Sequence, residues 1–334
     1  METRHNGIGV KILSTGRYLP AKILTNEELA RIVETSDEWI TTRTGIKERR
    51  IAAAGELSSD LGAAAAKIAL ERAGLGPKDI DMLICATITP DKIFPSTACY
   101  IQHKIGAADA PAFDVSAACS GFIYALSVAS GFIRSGAVKR VLVVGAEVLS
   151  KFTDWQDRAT CVLFGDGAGA MILEAAAPGE PDALLSFFIG ADGQYSELLH
   201  IPAGGGAAPA TESTVKDRLH FMKMSGKEVF KVAVTKMADA FEKALAKTSL
   251  RPSDISLLIP HQANMRIIDA VSRRLEFPME KTYVNVHKYG NISAATTIVA
   301  LDEAMESGRV KKGDTIALVA FGGGFTWGAA IIKI

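Results

Sequence analysis

Two stretches far apart in the chain read almost alike. ALERAGLGPKDIDMLI, residues 69–84, aligns without a gap with ALAKTSLRPSDISLLI, residues 244–259, at an offset of 175. Each carries the end of a helical pattern, a proline-containing turn and an apolar run of strand character. A second pair follows in the same order: SGAVK at 135–139 matches SGRVK at 307–311, at an offset of 172. Helical periodicity precedes both, and the apolar runs VLVVGAE and IALVAFGGG follow them as buried-strand candidates. This ordered repetition predicts a duplicated α/β unit, with halves at residues 1–175 and 176–334. The length of 334 residues agrees, since it exceeds what one hydrophobic core usually organises.

The repeat also points to a site. An offset of 172 carries Cys119, in DVSAACSGF, onto Asn291, in YGNISAATT. Both then lie at the start of corresponding helices, which a pseudo-twofold axis would bring together. Helix N-termini present unpaired N–H groups and partial positive charge, so they favour a thiolate and bind anions. The strand ending at Ile259 leads into PHQAN, which puts His261 just past a strand's carboxyl end, where open α/β sheets bind ligands. Cysteine, histidine and asparagine together suit acyl transfer: the sulfur attacks, and the other two polarise a carbonyl or move a proton.

Each of these residues has a plainer explanation when taken alone. A buried cysteine is usually a small hydrophobe, and Cys85, Cys99 and Cys161 are read as packing. A histidine at a strand end can simply bond the backbone, and asparagine is a good helix N-cap. FGGGF could be a turn, and it lacks the lysine of a phosphate-binding loop. Arg273 and Arg274 could be a solvated helix face. Only the combination favours chemistry.

Bulk properties exclude several classes. Lys plus Arg and Asp plus Glu are each 37, so the net charge is zero, which argues against a nucleic-acid or membrane-surface protein. No apolar run is long enough to span a membrane, and the first residues lack a signal-peptide pattern. Four scattered cysteines without a CxxC predict a reduced, cytoplasmic chain with neither disulfides nor a metal site.

At this point the chain resembles a known family, the β-ketoacyl-acyl-carrier-protein synthases III. The likeness is carried by TSDEWITTRTGI, AFDVSAACSGF, FGDGAGA, PHQANMRII, GNISAA and AFGGGFTWG, which together cover nearly the whole length. It implies a thiolase-like fold of layered αβαβα architecture, usually a homodimer. The implied reaction is decarboxylative Claisen condensation of an acyl-CoA starter with malonyl-acyl-carrier protein, without cofactor or metal. Elongating ketosynthases would have a second histidine in place of Asn291, and thiolases a second cysteine in the segment that here reads FGGG.

Residue roles follow from the resemblance. Cys119 takes the acyl group, and the N–H groups of Cys119 and Gly323 form the oxyanion hole. His261 and Asn291 hold the malonyl thioester carbonyl. Trp39 and Arg43 meet the adenine end of CoA, and Arg158, Gly226, Phe230 and Asn264 line the nucleotide and pantetheine path. Leu149, Phe164 and Met222 wall the acyl pocket, and Phe94 closes the pocket of the partner in the dimer. Lys231, Arg266, Arg273 and Arg274 form a basic rim for an acidic carrier protein. Residues 202–218 depart from the family pattern as an extended loop. A related condensing enzyme of secondary metabolism, of polyketide or quinolone type, would share the triad but use another starter or acceptor. A non-catalytic acyl-binding relative would not need to retain all three residues.

Overall fold

The computed structural model describes residues 7–334. The apolar runs after the repeated turns become strands of two sheets. The first sheet contains β1 (Val10–Tyr18), β2 (Met82–Ala86), β3 (Ala112–Val115), β4 (Arg140–Val148) and β5 (Asp166–Ala175), in the order β1-β5-β4-β2-β3. The second contains β6 (Leu184–Ala191), β7 (Leu257–Pro260), β8 (Thr315–Gly322) and β9 (Thr326–Lys333), in the order β6-β9-β8-β7. Strand directions match as well. In each sheet the first three strands are antiparallel neighbours, and the next pairing, β4 with β2 or β8 with β7, is parallel. The counterpart of β3 shrinks to one parallel bridge between Leu258 and Thr282.

The helices that matter for the site are α1 (Asp37–Thr44), α2 (Ser58–Ala73), α3 (Thr97–Ile105), α4 (Gly121–Arg134), α5 (Gly226–Leu245), α6 (Met265–Arg274) and α7 (Thr296–Glu306). Helix α2 covers the outer face of the first sheet and α5 the outer face of the second. Between the sheets run α4 and α7, each touching both. The layers are therefore αβαβα. A helix in a middle layer needs apolar residues on more than one side. Accordingly Phe122, Ile123 and Leu126 of α4 pack with Ile298 and Leu301 of α7 against Val143 and Leu318 from the two sheets.

The repeat runs differently from the sequence reading at one decisive place. The tight turns Ala118–Ser120 and Ser293–Ala295 precede α4 and α7, and they stand 175 residues apart, like the first repeated pair. Ala118 and Ser293 even share a left-handed backbone, with φ of 45° and 47°. The offset falls to 172 only afterwards, because α4 has 14 residues and α7 has 11. The counterpart of Cys119 is thus Ala294, and Asn291 corresponds to Ser116. Nearly one helical turn is lost beyond the functional turn, where the sequence carries no marker of it.

Two smaller expectations also change. Cys99 is exposed rather than packed, because α3 turns Ala98, Ile101 and Ile105 inward at helical spacing and leaves position 99 outside. Residues 202–218 are not extended. They contain a one-turn helix at Glu212–Lys216, and Arg218 anchors the segment by pairing with Asp154 through its Nε at 3.0 Å.

One buried ion network ties the middle layer to the first sheet. Asp302 of α7 is fully buried and accepts hydrogen bonds from Thr15 Oγ1 and Arg72 Nη1, both at 2.6 Å, and from Arg17. Replacing it would leave two guanidinium groups facing a hole, although water reaches both in part. Asp302→Ala is expected to lower stability by about 2–4 kcal/mol, read as a drop in the denaturation midpoint. An unchanged midpoint would show that the arginines find water instead.

Candidate active site

A cavity of about 770 Å³ opens between the turns that start the two middle helices, and Cys119, His261 and Asn291 all line it. Cys119 sits in the turn Ala118–Ser120, directly ahead of α4. The approach is tight: a Cβ on Gly322 would stand 2.5 Å from the Cys119 nitrogen and 2.8 Å from Ala118 Cβ. Only glycine lets β8 end against the cysteine turn. Thr326 then pins the turn, donating from Oγ1 to Ala117 O and accepting from Ser120 Oγ, both at 2.8 Å. Gly323 lines the same cavity.

His261 is the first residue beyond β7. Its N–H donates to Val319 O at 2.7 Å, which continues the sheet and fixes the ring's origin. Burial pushes the imidazole down to about 3, so it is neutral at physiological pH. Nδ1 lies 2.6 Å from Thr296 Oγ1, and that hydroxyl is also 2.9 Å from Ser293 O. The single hydroxyl hydrogen decides the tautomer. Given to Nδ1, it leaves Nε2 carrying a hydrogen that can be donated to a carbonyl. Given to Ser293 O, it leaves Nε2 with a lone pair.

Asn291 is held by its backbone and by one side-chain atom. Its N–H donates to Leu163 O at 2.8 Å, and its O accepts from Gly165 N–H at 3.0 Å. Its Oδ1 accepts from Ser293 N–H at 2.9 Å. The side-chain NH2 has no protein partner among the described residues, so it is the part available to a ligand.

The cysteine departs from expectation. Burial pushes its thiol from 9.0 up to about 12, while the Ser293 hydroxyl pulls the other way. A helix N-terminus favours the anion by about 0.3–2 kcal/mol, at most roughly 1.5 pK units. Desolvation outweighs it. The resting side chain is a thiol, not the thiolate expected from the helix terminus alone.

Not all of the remaining predicted residues line the cavity: Trp39, Arg158, Phe94, Lys231, Arg273 and Arg274 do not. At the mouth, Arg43 and Arg158 each place their guanidinium 4.9 Å from the Trp39 ring centre. Gly226, Phe230 and Asn264 line the cavity wall, and Arg266 stacks on Phe230 at 5.5 Å. Leu149, Phe164 and Met222 form one buried apolar cluster at the cavity. Phe94 does not line this chain's cavity; it is 85% exposed, beside equally exposed Ile93. Lys231 is exposed on α5. Arg273 pairs with Asp269, and Arg274 reaches Asp239 at 3.9 Å, so acids share the charge of both. Sequence reasoning missed Thr296, Ser293 and Glu147. Only the scattered hydroxyl residues of NISAATT hinted at the first two.

Among the described residues no helix is long and apolar enough to cross a membrane, and no cluster of His, Cys, Asp and Glu is arranged to hold a metal. Comparison with known proteins is decisive. The model of the 3-oxoacyl-[acyl-carrier-protein] synthase III family matches residues 113–193, and its C-terminal counterpart matches 245–334. The beta-ketoacyl-[acyl-carrier-protein] synthase III of Natranaerobius thermophilus is 56% identical, covering 97% of this chain and 98% of that protein.

The chain belongs to the β-ketoacyl-[acyl-carrier-protein] synthase III family.

It is therefore an acyltransferase-type condensing enzyme of the kind that begins fatty-acid synthesis, on a thiolase fold. The crystal structure of the synthase III of Aquifex aeolicus superposes with a TM-score of 0.90 at 50% identity, covering 98% of this chain and all of that one. A priming β-ketosynthase from the R1128 polyketide pathway also superposes at 0.90, with 34% identity, covering 98% of this chain and 97% of that one.

In this synthase III the neutral histidine has a stability signature. Its folded pKa lies below its unfolded value of 6.5, so the unfolded chain takes up the proton first as pH falls. The contribution is complete above 6.5 and is lost progressively toward about 3. His261→Gln should flatten the acid limb of stability by about 1.4 kcal/mol per pH unit across that window. Denaturant melts of both proteins at several acid pH values measure the difference, and parallel limbs would refute it.

Proposed function

We propose that this synthase III loads an acyl group from acyl-CoA onto Cys119 and then condenses it with malonyl-acyl-carrier protein. The products are a 3-oxoacyl-acyl-carrier protein, CoA and carbon dioxide. The supporting observation is the meeting of Cys119, His261 and the unpartnered Asn291 amide on one enclosed cavity. CoA enters past Trp39, Arg43 and Arg158, with the pantetheine arm running along Gly226, Phe230 and Asn264. The acyl chain lies against Leu149, Phe164 and Met222. Cys119 attacks the thioester, and the N–H groups of Cys119 and Gly323 stabilise the oxyanion.

In the second half-reaction the Asn291 NH2 and His261 Nε2–H donate to the malonyl thioester carbonyl. They stabilise the enolate that forms as carbon dioxide leaves, and the enolate carbon attacks the acyl-cysteine. This needs the tautomer in which Thr296 donates to Nδ1. The CoA thioester is the substrate, and no cofactor or metal takes part. The nucleophile belongs to the half at residues 1–175, and the histidine and asparagine to the half at 176–334. The enzyme works as a cytoplasmic homodimer in which Phe94 closes the partner's pocket; its near-complete exposure in one chain supports this. The carrier protein docks on Arg266 and Lys231, which have no ion pair among the described residues, with Arg273 and Arg274 at the edge. The R1128 likeness favours a second reading, in which the condensation primes a secondary-metabolite chain with another starter.

Incubation with a panel of acyl-CoAs, read as mass added to intact protein and mapped to a peptide, tests the reading and separates the two starters. Cys119→Ser should abolish the stable adduct, because a hydroxyl is a far poorer nucleophile than the sulfur it replaces. Label on Cys85, Cys99 or Cys161 would overturn the assignment. His261→Ala and Asn291→Ala should cut carbon dioxide release from malonyl thioester by about 100-fold or more while acyl loading falls much less. Equal loss of both would assign these residues to the cysteine.

Arg266→Glu should slow reaction with malonyl-carrier protein, and added salt should slow it further, since exposed charges are screened over about 10 Å at 0.1 M. Reaction with a small malonyl thioester should survive. A parallel fall in both rates would place Arg266 in the tunnel instead.

A further inference from the structure

Acyl loading must remove a proton from a buried thiol, and a carboxylate buried beside the turn ahead of α7 offers a destination. Glu147 lies near the end of β4 with no solvent exposure. Its carboxylate accepts hydrogen bonds from Thr89 Oγ1 at 2.6 Å, from Thr87 Oγ1 and Thr89 N–H at 3.2 Å, from Ile88 N–H at 3.2 Å and from Ala294 N–H at 3.4 Å. Every donor is neutral, and no lysine, arginine or histidine bonds it among the described residues. A carboxylate that is desolvated and lacks a cation becomes more basic. Burial accordingly pushes Glu147 up to about 7. The titratable groups that face it are Cys119, from the turn ahead of α4, and Cys85 on β2. Burial holds Cys85 well above the ordinary thiol range, and Asp114 and Asp91 bear on it in turn.

Ser293 belongs to the turn that touches both the Cys119 turn and the strand carrying Glu147. It opens the turn before α7, which packs on β4 and on the Cys119 turn. The next residue, Ala294, reaches the Glu147 carboxylate through its N–H at 3.4 Å, and Ser293 lines the same cavity as Cys119. Yet its Oγ is buried without a well-formed hydrogen bond in the resting protein. It is held there by a left-handed backbone, with φ of 47°, that costs a non-glycine residue free energy. A buried, unpartnered hydroxyl on a turn that adjoins both a thiol and a carboxylate is disposed to pass a proton.

We propose that Ser293 and Glu147 form the proton relay for loading of Cys119. The inference rests on Cys119 being the nucleophile. As the sulfur bonds to the thioester carbonyl carbon, its S–H bond breaks and the carbonyl π pair moves to oxygen. The thiol proton passes to Ser293 Oγ while the Ser293 hydroxyl proton passes to Glu147. Collapse restores the carbonyl and breaks its bond to the CoA sulfur. Glu147 then returns the proton through Ser293 to that sulfur, and CoA leaves as the thiol. No electrons are gained or lost, and Glu147 ends as it began. Ser293 touches the reacting sulfur; Glu147 acts through it.

The test is single-turnover acylation by acyl-CoA as a function of pH, read by intact mass, for the parent enzyme, Ser293→Ala and Glu147→Gln. Decarboxylation of a malonyl thioester is recorded on each, as is the thermal midpoint. The parent rate should rise with pH through a limb near 7. Both variants should lose that limb and acylate about 100-fold more slowly, with decarboxylation little changed. The double variant should be no slower than the worse single one, since the two residues act in series. Parent-like acylation with the limb intact would overturn the relay. So would an equal fall in acylation and decarboxylation, which would mean that Ser293 only positions Asn291. If Glu147→Gln does not fold, Ser293→Ala decides alone, because it keeps the backbone N–H that holds Asn291. If the parent's acyl group maps to a residue other than Cys119, the nucleophile reading has failed rather than the relay.

Discussion

Two helices with almost no solvent-facing side lie between two sheets, and everything at the site depends on how closely their first turns meet. The approach is set by small residues. An ideal Cβ on Gly145 of β4 would stand 3.0 Å from Ala294 O, so even a methyl group would push the turn ahead of α7 away from the first sheet. On the other side Gly322 lets β8 end against the Cys119 turn. With the turns pressed together, residues almost a chain-half apart share one cavity. The ion network around Asp302 holds α7 to β1 and α2 and so sets the depth at which its first turn sits.

The same closeness removes water, and the loss of water governs the protonation states. Cys119, His261 and Glu147 are all buried, and each is pushed toward its neutral form: the thiol to about 12, the imidazole to about 3, the carboxyl to about 7. A site built this way cannot rely on a standing thiolate. On the proposed reading it must move a proton during acyl transfer, and the neutral imidazole is the form that could donate to a developing enolate. The helix terminus still favours negative charge on the sulfur and on the carbonyl oxygen next to it. Its contribution is greatest while charge is forming rather than at rest.

Toward the surface the balance reverses, because solvated cations replace buried neutral groups. Arg43 and Arg158 stack on Trp39 at the mouth, and Arg266 stacks on Phe230 further in. Guanidinium groups on aromatic faces keep their charge while covering apolar area, so they can give way to a ligand ring at modest cost. The net charge of zero says little about how an acidic partner would meet this rim, since the local arrangement decides: acids stand beside Arg273 and Arg274, while Arg266 has no ion pair among the described residues.

The sequence by itself determined a duplicated α/β unit, because the duplicated turns repeat a helix-to-strand pattern in order, while the layered αβαβα arrangement was what the family resemblance implied. It also marked Cys119, His261 and Asn291, since their types and flanking motifs are local. It could not place the three-residue loss inside α7, and so it set Cys119 opposite Asn291 when its counterpart is Ala294. Cys99 was read as packing for a similar reason: four cysteines look alike until a helix is docked and one face is turned out. The thiol state of Cys119, the Thr296 contact that sets the His261 tautomer, and the packing of the Ser293 turn against Glu147 were decided only by tertiary structure. Each depends on which groups from the opposite half exclude water and point their polar atoms inward, and that is a property of two surfaces in contact, not of either segment alone.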